Sequence, residues 1–247
     1  MRVSRRILFI SAIILLISFF SIPAMGAEFY IVSEYTEHIA PSEGNDGVLT
    51  VSVTADPDMD GYVYLLDTID GMTPISLTGV ENVPAGAQLE QIMLGEAAAF
   101  RLKASDASSP VSLTASFSCP GFYDKEAEAD DTGSPSIPVS HKFTNLFDTQ
   151  IGKYSVTVLI PENNEIVKVS TPSKYVDYKL DIKDGRRSVS TSKSKLAPAG
   201  TVTLSMSYGK PLASKGYGKV LIWAFCLAIG GAVFYARLPK KERVKTR

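Results

Sequence analysis

Tyr154-Ser-Val-Thr-Val-Leu-Ile160 decides the fold class. Tyr154, Val156, Val158 and Ile160 share one parity, with Ser155 and Thr157 between them. A strand turns alternate side chains to opposite faces, so this is the pattern of a half-buried strand. The period recurs in both directions. Upstream, Leu49, Val51 and Val53 alternate with Thr50, Ser52 and Thr54, and further strands fall over 61–66, 74–78, 99–104 and 111–117. A run around Leu89, Ile92 and Met93 reads as a strand or one helical turn. Downstream, strands fall over 139–143, 166–169, 175–182, 187–190 and 201–208. Turn-forming Pro, Gly, Asp and Asn separate these runs, and short strands at this spacing predict antiparallel sandwiches.

Charge divides the chain. Residues 27–137 hold 19 acidic and three basic groups, a net −16, whereas 138–219 hold 13 basic and six acidic groups, a net +7. The reversal falls on a Pro/Ser/Gly-rich junction, which reads as a domain boundary. The two cysteines, Cys119 and Cys226, lie in different regions, so no disulfide framework is expected.

Both ends of the chain carry apolar runs. Residues 1–26 have three arginines, a continuous apolar run and then Pro23 and small residues, the layout of a signal peptide or an uncleaved signal anchor. Residues 220–236 contain no charge and precede a basic tail, which reads as a transmembrane helix with its C-terminus in the cytoplasm. The predicted order is a signal segment over 1–26, an acidic sandwich over 27–119 and an acidic Pro/Ser linker over 120–138. A basic sandwich over 139–209, a stalk over 210–219, the transmembrane helix over 220–238 and a cytoplasmic tail over 239–247 follow. The expected fold is thus mostly β, two antiparallel β-sandwich ectodomains of immunoglobulin-like or fibronectin-like architecture on one C-terminal span. That likeness is architectural and confers no function. The expected location is the cell membrane, single-pass, with the ectodomain exported.

Asp56-Pro-Asp-Met-Asp-Gly-Tyr-Val-Tyr-Leu-Leu-Asp67 holds the most specific local pattern. Asp56, Asp58 and Asp60 stand at positions one, three and five, Gly61 at six and Asp67 at twelve, so the stretch resembles an EF-hand-type calcium loop. Pro57, the strand-like flanks and Asp in place of a closing Glu depart from that motif. The alternative is a hairpin turn rich in residues that favour turns. Calcium is the one cofactor indicated. In the apolar run, Ala224, Ala228, Ala232 and Ala236 recur every fourth residue, a stripe that predicts helix–helix contact and a homo-oligomer within the membrane.

Catalysis has little to stand on. His38 and His141 are the only histidines, and no Gly-x-Ser-x-Gly, His-Glu-x-x-His, phosphate loop or Cys-x-x-Cys occurs. His141 shares parity with Val139 and Phe143, so it faces either solvent or the core. The reading is of a non-enzymatic surface protein that binds another surface or membrane protein, or serves a structural role. An accessory subunit contacting a complex through its helix is the alternative, and a surface hydrolase the minor one. Export makes nucleic acid an unsuitable partner.

Overall fold

A computed structural model describes residues 30–129, 135–170, 177–210 and 217–237. Among these residues, fourteen strands and one α-helix run in the order β1 (Ile31–Pro41), β2 (Gly47–Asp56), β3 (Tyr62–Leu66), β4 (Thr73–Glu81), β5 (Glu90–Leu94), β6 (Ala97–Lys103), β7 (Val111–Cys119), β8 (Glu128–Ala129), β9 (Pro135–Thr144), β10 (Ile151–Leu159), β11 (Glu165–Ser170), β12 (Tyr178–Lys183), β13 (Arg186–Leu196), β14 (Thr201–Gly209) and α1 (Tyr217–Arg237), with one 3-10 turn at Glu43–Asn45 between β1 and β2.

Period-two patterning builds the strands. In β2 and β7 every second residue is buried, and the intervening Ser and Thr face outward. There Ser52 bonds Thr114 across β2 and β7 at 2.9 Å, and on the same outer face Thr36 of β1 bonds Ser155 of β10 at 3.0 Å. Asp184 and Gly185 both have positive φ, 52° and 74°, and close the tight hairpin from β12 to β13.

The strands form a seven-stranded sheet, β12-β13-β10-β1-β2-β7-β4, a four-stranded sheet, β11-β14-β9-β8, and a three-stranded sheet, β3-β6-β5. The two small sheets cover one face of the large one. Phe100 of β6 meets Phe117 of β7 at 5.0 Å between ring centroids, and Phe143 of β9 stacks on Tyr154 of β10 at 4.1 Å. One apolar cluster runs through both contacts, from Tyr30 to Tyr208.

This corrects the expected fold of two separate antiparallel sandwiches. β1, from the acidic half, pairs in parallel with β10, from the basic half, in the register Tyr35↔Tyr154 to Ile39↔Val158. Both halves therefore share the seven-stranded sheet. The physical reason is that parallel neighbours are joined by a long crossover, which leaves no trace in local alternation. The segment read as a linker is packed rather than free where it is described. Phe122 and Tyr123 are buried, and the Tyr123 hydroxyl donates to the Leu159 carbonyl at 2.6 Å.

The transmembrane helix is also corrected. Among the described residues, no helix is long and apolar enough to cross a membrane. Lys219 and Arg237 bound an uncharged run of 17 residues in α1, with Gly230 and Gly231 inside it. At about 1.5 Å per residue that run spans about 26 Å, short of a hydrocarbon core about 30 Å thick. The integral-membrane assignment, the single-pass topology with its exported ectodomain and cytoplasmic C-terminus, and oligomerisation through the helix all rested on that span, and they fall with it. So does a cell-surface location or partner argued from it. The signal segment over 1–26 and the tail over 239–247 lie outside the described residues.

Gly152 marks the closest approach in the central pair. A Cβ there would sit 2.6 Å from the Ser33 carbonyl oxygen, beside the irregularity that β1 carries between Val32 and Glu34. Gly152→Ala should therefore destabilise the fold by about 2 kcal/mol, read as a lowered urea midpoint. An unchanged midpoint would show that the β1–β10 pair separates at no cost.

Candidate functional site

Where the two small sheets meet over the large one, a carboxylate is buried. Glu37 lies on the core face of β1 with its side chain fully inaccessible. The irregularity between Val32 and Glu34 resets the alternation, so Tyr35, Glu37 and Ile39 face inward after Val32. Three donors surround the carboxylate. Thr68, just after β3, donates its hydroxyl to Oε1 at 2.9 Å. Tyr154 of β10 donates its hydroxyl to Oε2 at 2.6 Å. His141 of β9 brings Nε2 to 2.8 Å from the same oxygen. The two hydroxyls donate one to each carboxylate oxygen, and His141 shares Oε2 with Tyr154, so both oxygens of Glu37 are engaged without solvent.

Electrostatics keep the Tyr154 hydroxyl protonated. Burial pushes the Tyr154 phenol well above its ordinary range, and the adjacent Glu37 charge pushes it further. Tyr35, which accepts the Leu66 N–H at 3.0 Å, is raised in the same way, by burial first and then by Glu37. His141 is itself 2% exposed, and its other ring nitrogen, Nδ1, is buried with no hydrogen-bond partner among the described residues. Since Nε2 faces Glu37, the unpartnered Nδ1 is the chemically distinctive atom of the cluster.

His141 lines a groove of about 530 Å³. Thr68, Ile69 and Asp70 form one side of it and Pro120, Gly121 and Phe122 another, with Lys125, Ser140 and Lys142 completing the wall. β8 pairs with β9 only at Ser136 and Pro135, so the Ser140–Lys142 stretch of β9 is left as a free edge along the groove. Two lysines against one aspartate give the wall a net positive charge.

The sequence-derived calcium residues occupy a turn. Asp58 is buried, and its Oδ1 accepts the N–H of Asp60 at 3.0 Å and of Tyr62 at 2.7 Å. Its Oδ2 accepts the Tyr64 hydroxyl in a short hydrogen bond. Asp58 is thus committed to folding the loop. Asp56 and Asp60 are exposed, and burial raises the pKa of half-buried Asp67. No three acidic, His or Cys side chains among the described residues are grouped to hold a metal ion. Ala224 and Ala228 are exposed on α1, and the side chains of Ala232 and Ala236 lie outside the described set. Cys119 is fully buried, and burial pushes its thiol up to about 11, so it is a core residue rather than a nucleophile.

Sequence reasoning singled out His141 and missed Glu37, Thr68 and Tyr154 as its partners. The parity of His141 with Val139 and Phe143 was the available signal. Glu37 had none, because β1 did not register as a strand.

No protein-family model matches the chain, and no curated protein does. Among solved structures it is similar to the M1 zinc metallopeptidase from Deinococcus radiodurans, at 12% identity and a TM-score of 0.39 over 76% of this chain and 44% of that one. It is also similar to leukotriene A4 hydrolase from Saccharomyces cerevisiae, at 10% identity and a TM-score of 0.46 over 76% and 31%. The chain spans less than half the length of either. At these scores the likeness carries neither activity nor substrate to this chain.

Two expectations follow. Glu37→Gln places an amide donor among three donors and should lower stability by about 3 kcal/mol in chemical denaturation. Glu34→Gln, which removes only the half-exposed pair with Lys153 on the same two strands, should cost under about 1 kcal/mol. Equal effects would remove the special status of Glu37. Separately, burial first and Lys183 second lower the pKa of His38 below 6.5, with Asp184 opposing. The unfolded chain then binds more protons than the folded one below about pH 6.5, so stability falls as pH drops through that range. Thermal melts of His38→Gln between neutral and mildly acidic pH should show a flatter dependence than the wild type.

Proposed function

We propose that the chain is a β-scaffold binding module with no catalytic chemistry of its own, and that its ligand site is the groove over His141. The observation that carries this reading is the buried imidazole, held through Nε2 by Glu37 and unpartnered at Nδ1, behind the wall of a groove flanked by Lys125 and Lys142. With Nε2 committed to Glu37, Nδ1 is the ring atom left to meet a ligand group once the groove wall admits one. A ligand carboxylate answers the ammonium groups of Lys125 and Lys142, so the ligand class is a carboxylate-bearing molecule or an acidic peptide.

A second reading has its own support. An imidazole oriented by a buried carboxylate is the arrangement of a general base and its orienting group. It lacks an activated nucleophile, because no hydroxyl or thiol among the described residues is bonded to Nδ1. Under the hydrolytic reading, His141→Ala abolishes turnover of peptide or ester substrates; under the binding reading there is no turnover to abolish.

The test is an NMR titration of the full chain, labelled at histidine, with a capped triglutamate peptide and its triglutamine counterpart. The His141 resonances should shift saturably with the acidic peptide alone. Lys142→Glu should weaken that binding about tenfold, the value of one charge-assisted contact. Resonances that stay fixed under both peptides would sink the groove as a carboxylate site.

A further inference from the structure

We propose that the chain self-associates through β12, in antiparallel register centred on Leu180, to form a two-fold dimer in which the seven-stranded sheets of two copies become continuous.

β12 is an edge of the large sheet, and all six of its residues are exposed. Tyr178, Leu180 and Ile182 lie on the core-facing side, opposite Thr191, Val189 and Arg187 of β13. Val189 is fully buried, yet Leu180 beside it is 58% exposed and Ile182 is 69% exposed. The apolar face of the sheet therefore continues past its cover. Lys179, Asp181 and Lys183 point the other way.

The backbone of β12 is set for pairing. The Asp177 and Asp181 carbonyls are turned toward β13, where Thr191 and Ser188 hydroxyls donate to them. The Ile182 N–H bonds its own neighbour, the Asp181 carboxylate, instead of a strand. Antiparallel ladders alternate direction residue by residue, so the N–H and C=O groups of Tyr178, Leu180 and Ile182 face outward. The other edge of the same sheet is blunted. β4 carries Pro74 and two register irregularities against β7, and β11 in the four-stranded sheet carries one against β14. The β12–β13 pairing has none over its six residues. Straight, unblunted, apolar edges are what proteins leave for strand addition.

The side chains identify a second copy as the occupant. With Leu180 opposite Leu180, Tyr178 of one copy meets Ile182 of the other on the apolar face. On the polar face, Lys179 of each copy meets Asp181 of the other, twice by symmetry. Shifting the centre to Asp181 instead places Lys179 opposite Lys183 and Asp181 opposite itself, which like charges disfavour. The outward-facing set of residues gives hydrogen-bonded pairs in the Leu180 register. The interface is isologous, so it closes at two copies.

The full chain is followed by sedimentation equilibrium across a concentration series. The wild type should show a reversible monomer–dimer equilibrium. Asp181→Lys sets lysine against lysine at both symmetric positions and should weaken the dimer about tenfold or more. The charge swap Lys179→Asp/Asp181→Lys restores opposite signs across the interface and should return the affinity to within about threefold of wild type. Leu180→Pro removes an outward N–H that β13 does not use and should abolish the dimer while the thermal midpoint shows the monomer folded. A wild type that stays monomeric throughout overturns the proposal, and so does a dimer indifferent to Asp181→Lys or unrescued by the swap. Ligand binding at His141 is independent of these outcomes.

Discussion

Everything in the core converges on one negative charge without solvent. The Glu37 carboxylate draws on four separate pieces of chain: β1, which carries it, the end of β3 through Thr68, β9 through His141, and β10 through Tyr154. These belong to all three sheets or their immediate connections. An ionised carboxylate left unpaired in such a place costs several kcal/mol, so arrangements that fail to bring the donors together are penalised together. Apolar contacts between Tyr35, Phe143 and Tyr154 wrap the site and lower its local dielectric, which strengthens each hydrogen bond and raises the cost of losing one. The network acts less as a source of net stability than as a constraint on how the small sheets seat on the large one.

The charge reversal along the chain acquires a different meaning once β1 and β10 are neighbours. Acidic and basic halves do not mark two bodies; they meet side by side within one sheet. Lys153 reaches Glu34 across the central pair at 2.7 Å, and Arg186 reaches the Pro41 carbonyl at 3.3 Å. Arg186 also pairs within its own half, with Glu162, as Arg187 does with Glu165. All of these contacts are partly exposed and contribute little each. The reversal biases which halves approach one another, whereas aromatic packing and the buried carboxylate fix the geometry.

What could be read from the sequence was whatever repeats locally. β2, β7, β10 and β14 alternate cleanly and were visible as strands, since their polar side chains lie on one face only. β1 was not, because its irregularity at Val32 and Glu34 breaks the period and because Glu34, Glu37 and His38 dilute its apolar content. Asn145 is a similar case. It reads as an ordinary loop residue, but its amide nitrogen donates to the Thr149, Leu196 and Ala197 carbonyls while its oxygen accepts the Phe147 N–H. Buried polar groups satisfied by distant backbone have no signature in residue order. The apolar run near the C-terminus misled for the opposite reason: its composition was conspicuous, while its length between charges was marginal.

The parallel pairing of β1 with β10 also sets an order of events. Thr36 and Ser155, which touch across it, are 119 residues apart in the chain. During synthesis β1 can join β2, but one whole side of it stays bare until β10 emerges. Glu37 has no histidine or tyrosine to meet before His141 and Tyr154 exist. The first half of the molecule is therefore born with an open sheet edge and an acid that has only Thr68 as a partner, and cannot complete its core alone. A late, long-range docking step of this kind makes for slow folding and exposes the nascent chain to mispairing.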